Sequence, residues 1–115
     1  MMAKIPFSKL GIKPNNEIVI LPWENYNIEI RKYLPMVEKA TLISNVINLS
    51  ADDNGYYNPL KIKVYLTLEV MFAYTNLTFT SKMREEALKT YDIVIGSGLF
   101  EQVIKCMPQE EWDEL

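Results

Sequence analysis

Leu60-Lys61-Ile62-Lys63-Val64-Tyr65-Leu66-Thr67-Leu68-Glu69-Val70-Met71-Phe72-Ala73-Tyr74-Thr75-Asn76-Leu77 carries two incompatible periodicities, and the class of the protein follows from which one wins. From Lys61 to Val70 the apolar residues alternate, with Ile62, Val64, Leu66, Leu68 and Val70 on one side, the pattern of a half-buried strand. The apolar stretch nevertheless runs for about eighteen residues, well beyond an ordinary strand. Asn58-Pro59 in front of it supplies a capping side chain and a proline suited to a first helical turn. Length and capping favour a helix. It is apolar nearly all round, as a central core helix should be.

On the N-terminal side, Pro35 opens a second helical pattern, in which Met36, Val37, Ala40, Ile43, Val46 and Ile47 form an apolar stripe. The turn formers Ser50-Ala51-Asp52-Asp53-Asn54-Gly55 end it. On the C-terminal side, Thr80 caps a helix from Ser81 to about Ile95, with Met83, Ala87, Leu88, Tyr91 and Val94 or Ile95 inward. Gly96 stops that helix. Ser97 caps the next, Gly98 to about Met107, with Leu99, Val103 and Ile104 inward. Pro108 opens a final acidic turn over 109–115.

Nearer the N-terminus, Glu17 to Leu21 and Tyr26 to Lys32 read as the strands of a hairpin, interrupted by Pro22-Trp23-Glu24-Asn25. Two strands alone are marginal, so the hairpin must pack on the helices or on another chain. Residues 1–16 read as an extended arm, because Pro6, Gly11 and Pro14 oppose regular structure, yet Ile5, Phe7, Leu10 and Ile12 make it apolar. The expected fold is α+β and predominantly α: an N-terminal arm (1–16), then a single globular domain (17–115) made of a β-hairpin and a bundle of about four helices.

A chain of 115 residues with 49% hydrophobic and 23% charged content can bury a core as one domain without covalent staples. Its net charge of −3, with no basic run longer than Arg31-Lys32, opposes nucleic-acid binding. The start lacks an apolar signal core, and no window has the uncharged length of a membrane span. The expected compartment is a cytoplasm. No membrane, nucleic acid or small-molecule substrate is expected as a partner.

Catalytic chemistry is expected to be absent, and so are cofactors and metals. With no histidine there is no Ser-His or Cys-His pair, and the commonest general base is missing. The single cysteine, Cys106, lies among Val103, Ile104 and Met107 and reads as a buried small hydrophobe. Asp52-Asp53-Asn54-Gly55 fails as a calcium loop, because aligning Gly55 puts Ser50 and Lys61 where carboxylates are required. Gly96-Ser97-Gly98 is a helix break, without the third glycine of a dinucleotide fingerprint. Glu85-Glu86 and Glu110-Glu111 read as solvated charge. What remains is surface for binding protein: Ile5, Phe7, Leu10 and Ile12 on the arm, Trp23 at the hairpin tip, Tyr56 and Tyr57 in a polar loop, and Trp112 with Leu115 near the end.

Several phrases together resemble small proteins of phages that infect Gram-positive bacteria. They are Phe7-Ser8-Lys9-Leu10-Gly11, Tyr33-Leu34-Pro35 leading to Leu42-Ile43-Ser44-Asn45-Val46-Ile47, and Asn58-Pro59 leading to Leu68-Glu69-Val70 and Ala73-Tyr74-Thr75-Asn76-Leu77-Thr78-Phe79-Thr80. Tyr91-Asp92, Ser97-Gly98-Leu99 and Met107-Pro108-Gln109-Glu110-Glu111 complete the likeness over residues 7 to 112. The group looks like tail-region morphogenesis proteins, closest to the tail assembly chaperones. The resemblance implies a homo-oligomer in the host cytoplasm that binds tape measure and tail tube proteins while the virion assembles. Two alternatives stay open: a head-tail connector subunit forming a ring in the virion, and a phage protein that binds a host defence protein.

Overall fold

The computed structural model describes residues 2–115. It is a small α+β fold: a two-stranded antiparallel hairpin, β1 (Ile18–Trp23) and β2 (Tyr26–Arg31), followed by helices α1 (Met36–Ser50), α2 (Pro59–Tyr74), α3 (Ser81–Glu85), α4 (Ala87–Gly96), α5 (Leu99–Cys106) and α6 (Gln109–Asp113). Among the described residues no helix is long and apolar enough to cross a membrane.

The ambiguous segment is a helix. The Asn58 side chain accepts the N–H groups of Leu60 (2.9 Å) and Lys61 (3.4 Å), and Pro59 occupies the first turn. These are two of the donors a helix start leaves without partners. From Val64 onward α2 buries Val64, Thr67, Leu68, Val70, Met71 and Tyr74, which lie on more than one face. It is the centre of the core, with α1 and α4 packed on it. The alternation that mimics a strand arises because a helix surrounded by neighbours places no demand on which side is apolar.

The hairpin pairs Ile18 with Arg31 and runs in register to Trp23 opposite Tyr26. Strand β1 therefore extends through Pro22 and Trp23, and the interruption expected over four residues shrinks to the two-residue turn Glu24-Asn25. Proline is tolerated there because β1 is an edge strand. The inner face, Ile28 and Ile30 with Leu21 and Trp23, joins the core. The other edge of the hairpin, β2, is closed by the end of α2. Ile30 bridges Thr75, Glu29 N–H donates to the Asn76 side chain (2.9 Å), and Asn76 N–H donates to the Glu29 carbonyl (3.2 Å). The hairpin thus packs on the helices of its own chain.

Two helical readings need correction. The single helix expected from Ser81 to Ile95 is broken at Glu86 (φ −94°, ψ 54°), where the Thr90 hydroxyl donates to the Met83 carbonyl (2.6 Å) and takes up a group the break exposes. The break turns Ala87, Thr90 and Val94 inward and leaves Leu88 and Met83 on the outside. In α1 the buried stripe is Lys39, Leu42, Val46 and Ser50, so that Met36, Val37, Ala40 and Ile47, expected inside, face out.

Glu24 has φ +53°, the one residue other than glycine with positive φ among those described. A side chain there crowds its own carbonyl at a cost of about 1 kcal/mol. Glu24→Gly is expected to raise the unfolding free energy by up to about 1 kcal/mol, measured as a shift of the urea midpoint at constant m-value.

Candidate protein-interaction surface

The arm residues Ile5, Phe7, Leu10 and Ile12 are all solvent-exposed, as is every described residue before Ile18. The arm is not uniformly extended. Phe7–Leu10 forms one 3₁₀ turn between Pro6, whose carbonyl accepts Lys9 N–H (3.1 Å), and Gly11, which ends it at φ +68°. Residues three apart eclipse in such a turn, so Phe7 (70% exposed) and Leu10 share one side of a preformed hook. The radius of gyration is 17.3 Å, against roughly 13 Å for a compact domain of this length. The arm stands off the body.

Tyr56 (74% exposed) and Tyr57 sit on a rigid loop. The Asp52 carboxylate accepts the N–H groups of Asn54 and Tyr56 (both 2.9 Å), Gly55 N–H returns to the Asp52 carbonyl, and Ala51 bridges Tyr57. Asp52 Oδ1 thus makes the turn. Trp23, Trp112 and Leu115 fare differently: each is half-buried against the core, and Trp112 stands edge-on to Phe100 (5.8 Å between ring centres). They belong to the body. Cys106 also packs on the core, partly exposed.

Two apolar surfaces escaped the sequence reading. One is the outer face of α1, where Met36, Ala40 and Ile43 line a cavity of about 460 Å³ with Glu114 at its rim. The other is a cleft of about 280 Å³ between the chain at Leu77–Phe79 and the helices α3 to α5, lined by Met83, Ile93 and Leu99. Ile93 is 70% exposed at this cleft, and Leu88, also exposed, lines a separate hollow with Tyr65 and Ala87. The unexpected kink at Glu86 is what exposes this surface, and no local pattern in the sequence announces it.

Glu111 overturns the reading of Glu110-Glu111 as solvated charge, for it is only 5% exposed. Its carboxylate accepts the Tyr74 hydroxyl (2.8 Å), the Leu34 backbone N–H (3.2 Å) and the Lys39 ammonium (3.1 Å). Lys39 also binds Glu114 and lies 4.4 Å from the centre of the Tyr33 ring. This node ties the hairpin exit, α1 and α2 together. Among the described residues no three metal-ligating side chains converge.

Burial pushes the Tyr74 hydroxyl far above its ordinary pKa of 10.0, and the carboxylate it donates to pushes it further. For Lys39, burial acts to lower the pKa, but Glu114 and Glu111 together outweigh it and the net direction is up. Both shifts have the same sign for stability. A group whose pKa is raised by folding contributes fully below its unfolded value and loses that contribution as pH rises toward the folded one. Stability is therefore expected to fall as pH climbs above about 10, with tyrosine absorbance and urea midpoints reading the transition together. Tyr74→Phe should flatten that slope. Glu111→Ala, which leaves Lys39 with one carboxylate and orphans Leu34 N–H, should cost about 3–5 kcal/mol.

Comparison with family models, with curated proteins and with solved structures finds no match to this chain.

Proposed function

We propose that this protein is a non-enzymatic assembly factor, a phage tail assembly chaperone that binds tail tube or tape measure proteins while they await polymerisation. The observation that carries the reading is the placement of apolar side chains on the outside. Ile5, Phe7, Leu10 and Ile12 stand exposed on the arm, and the exposed Met83 and Ile93 line an apolar cleft beside α4. Isolated exposed apolar residues are ordinary, but contiguous ones mark protein-binding sites. The resemblance of several phrases to tail-region proteins is what points to this class of client.

The mechanism is one of temporary cover. Arm and cleft occupy the apolar surfaces of a tail protein before it polymerises, and the growing tube displaces them. Nothing in this scheme needs a general base or nucleophile, in keeping with a chain free of histidine.

Quantitative mass spectrometry of purified virions beside infected-cell lysate tests it. Peptides of this chain are expected to be abundant in lysate and absent from virions. A constant six to twelve or so copies per particle, the stoichiometry of a closed ring, would instead make the protein a connector subunit. Ile93→Asp, at an exposed position of the cleft, is expected to leave the fold intact and to weaken client capture at least tenfold, read by pull-down with tail tube protein.

A further inference from the structure

The arm and the outer face of α1 are complementary in shape, polarity and charge. Residues 1–16 contain three lysines, Lys4, Lys9 and Lys13, and no acid. They alternate with the apolar residues Ile5, Phe7, Leu10 and Ile12. The α1 groove is apolar along Met36, Ala40 and Ile43, residues spaced four and three apart on one helix face, and its rim carries Glu114. Glu110 and Asp113 lie exposed on the same short helix as Glu111, and Lys39 is the basic side chain paired into that cluster. A cationic apolar segment and an anionic apolar groove thus coexist on one chain, both uncovered.

We propose that the arm of one copy docks on α1 of a second copy, with the Phe7–Leu10 hook in the Met36–Ala40–Ile43 groove and its lysines against Glu110, Asp113 and Glu114. The root of the arm favours a second copy over its own domain. Lys32 N–H donates to the Glu17 carbonyl (2.9 Å), continuing the hairpin ladder one residue beyond β1, and the Asn15 side chain accepts Glu17 N–H (3.0 Å). The arm therefore leaves in line with an edge strand, with its apolar residues off the body. Because the hook is already formed, docking orders little chain. Reciprocal exchange uses each arm and each groove once, which closes a two-fold pair. A standard stable interface covers on the order of 800 Å² per partner, so each of the two contacts has to supply about half of that.

This pairing goes beyond the chaperone reading, since it concerns what covers the arm when no client is present. It is tested on the purified chain alone, so its failure leaves client binding untouched. Sedimentation velocity is measured on the full chain, on a chain lacking residues 2–13, on Phe7→Asp and on Ala40→Lys. Both substitutions are at exposed positions, and circular dichroism should show unchanged helix content. The full chain is expected to sediment as a dimer and each variant as a monomer. An equimolar mixture of F7D and A40K should regain a dimer weaker than that of the full chain, because the intact arm of A40K meets the intact groove of F7D while the second contact stays broken. Raising salt from low to about 1 M should weaken the full-chain dimer roughly tenfold, as exposed charge pairs are screened. A monomeric full chain overturns the proposal. So does a dimer that survives loss of the arm, which would place the contact elsewhere, such as the free edge of β1. A mixture that shows no more dimer than either variant alone, at concentrations raised to reveal a single contact, also overturns it.

Discussion

The Glu111 carboxylate receives hydrogen bonds from the chain just after the hairpin, from the start of α1 and from the end of α2, and in doing so it fixes how those three parts meet. Each donor is buried, and each would lose more than a hydrogen bond if left alone. Leu34 N–H and the Tyr74 hydroxyl would be desolvated without a partner, and the Lys39 ammonium would keep only Glu114. The apolar core around α2 supplies most of the driving force for folding. The carboxylate supplies uniqueness, because an apolar contact tolerates sliding and a three-way hydrogen-bond acceptor does not. The orientation of α1 follows from it, since Lys39 must turn inward to reach Glu111. That rotation carries Met36, Val37 and Ala40 to the outside.

Elements with local causes were legible in the sequence. Asn58 and Thr80 cap the helices they were expected to cap, and the hairpin pairs the strands expected of it. The helix α2 was legible because its length outweighed a misleading alternation. Long-range causes left no local trace. The apolar stripe read on α1 is real, but a lysine took the inner face for a carboxylate 72 residues away. At the bend the Met83 carbonyl is taken up by a hydroxyl seven residues along, at Thr90, a spacing that no helix rule examines. Trp23, Trp112 and Leu115 were read as exposed because their neighbours are polar, whereas the α5 helix and the hairpin between them provide apolar cover.

The same division governs the candidate surface. The arm was legible, since prolines and a glycine among apolar residues speak for themselves. The groove on α1 and the cleft beside α4 exist only because of the two tertiary displacements just described, one of them driven by an ion pair and the other by a helix break. Charge is partitioned as well. The arm carries only positive side chains, while the chain from Pro108 to Leu115 carries only negative ones. Salt will therefore act differently on the core, where Lys39 and Glu111 are shielded, and on the surface, where charges meet in water.

The order in which these groups leave the ribosome gives the node a kinetic meaning. Tyr74 precedes Glu111 by 37 residues. At elongation rates of about 5–20 residues per second that interval lasts about 2–7 s, long compared with helix or hairpin formation. Throughout it, α1, α2 and the hairpin are synthesised while the acceptor that joins them is not. The nascent domain can collapse around α2, and its final arrangement waits on the segment that carries Glu111. Rare codons or a pause between Tyr74 and Glu111 would lengthen the life of that open form, during which Tyr74 and Lys39 remain accessible to chaperones and proteases.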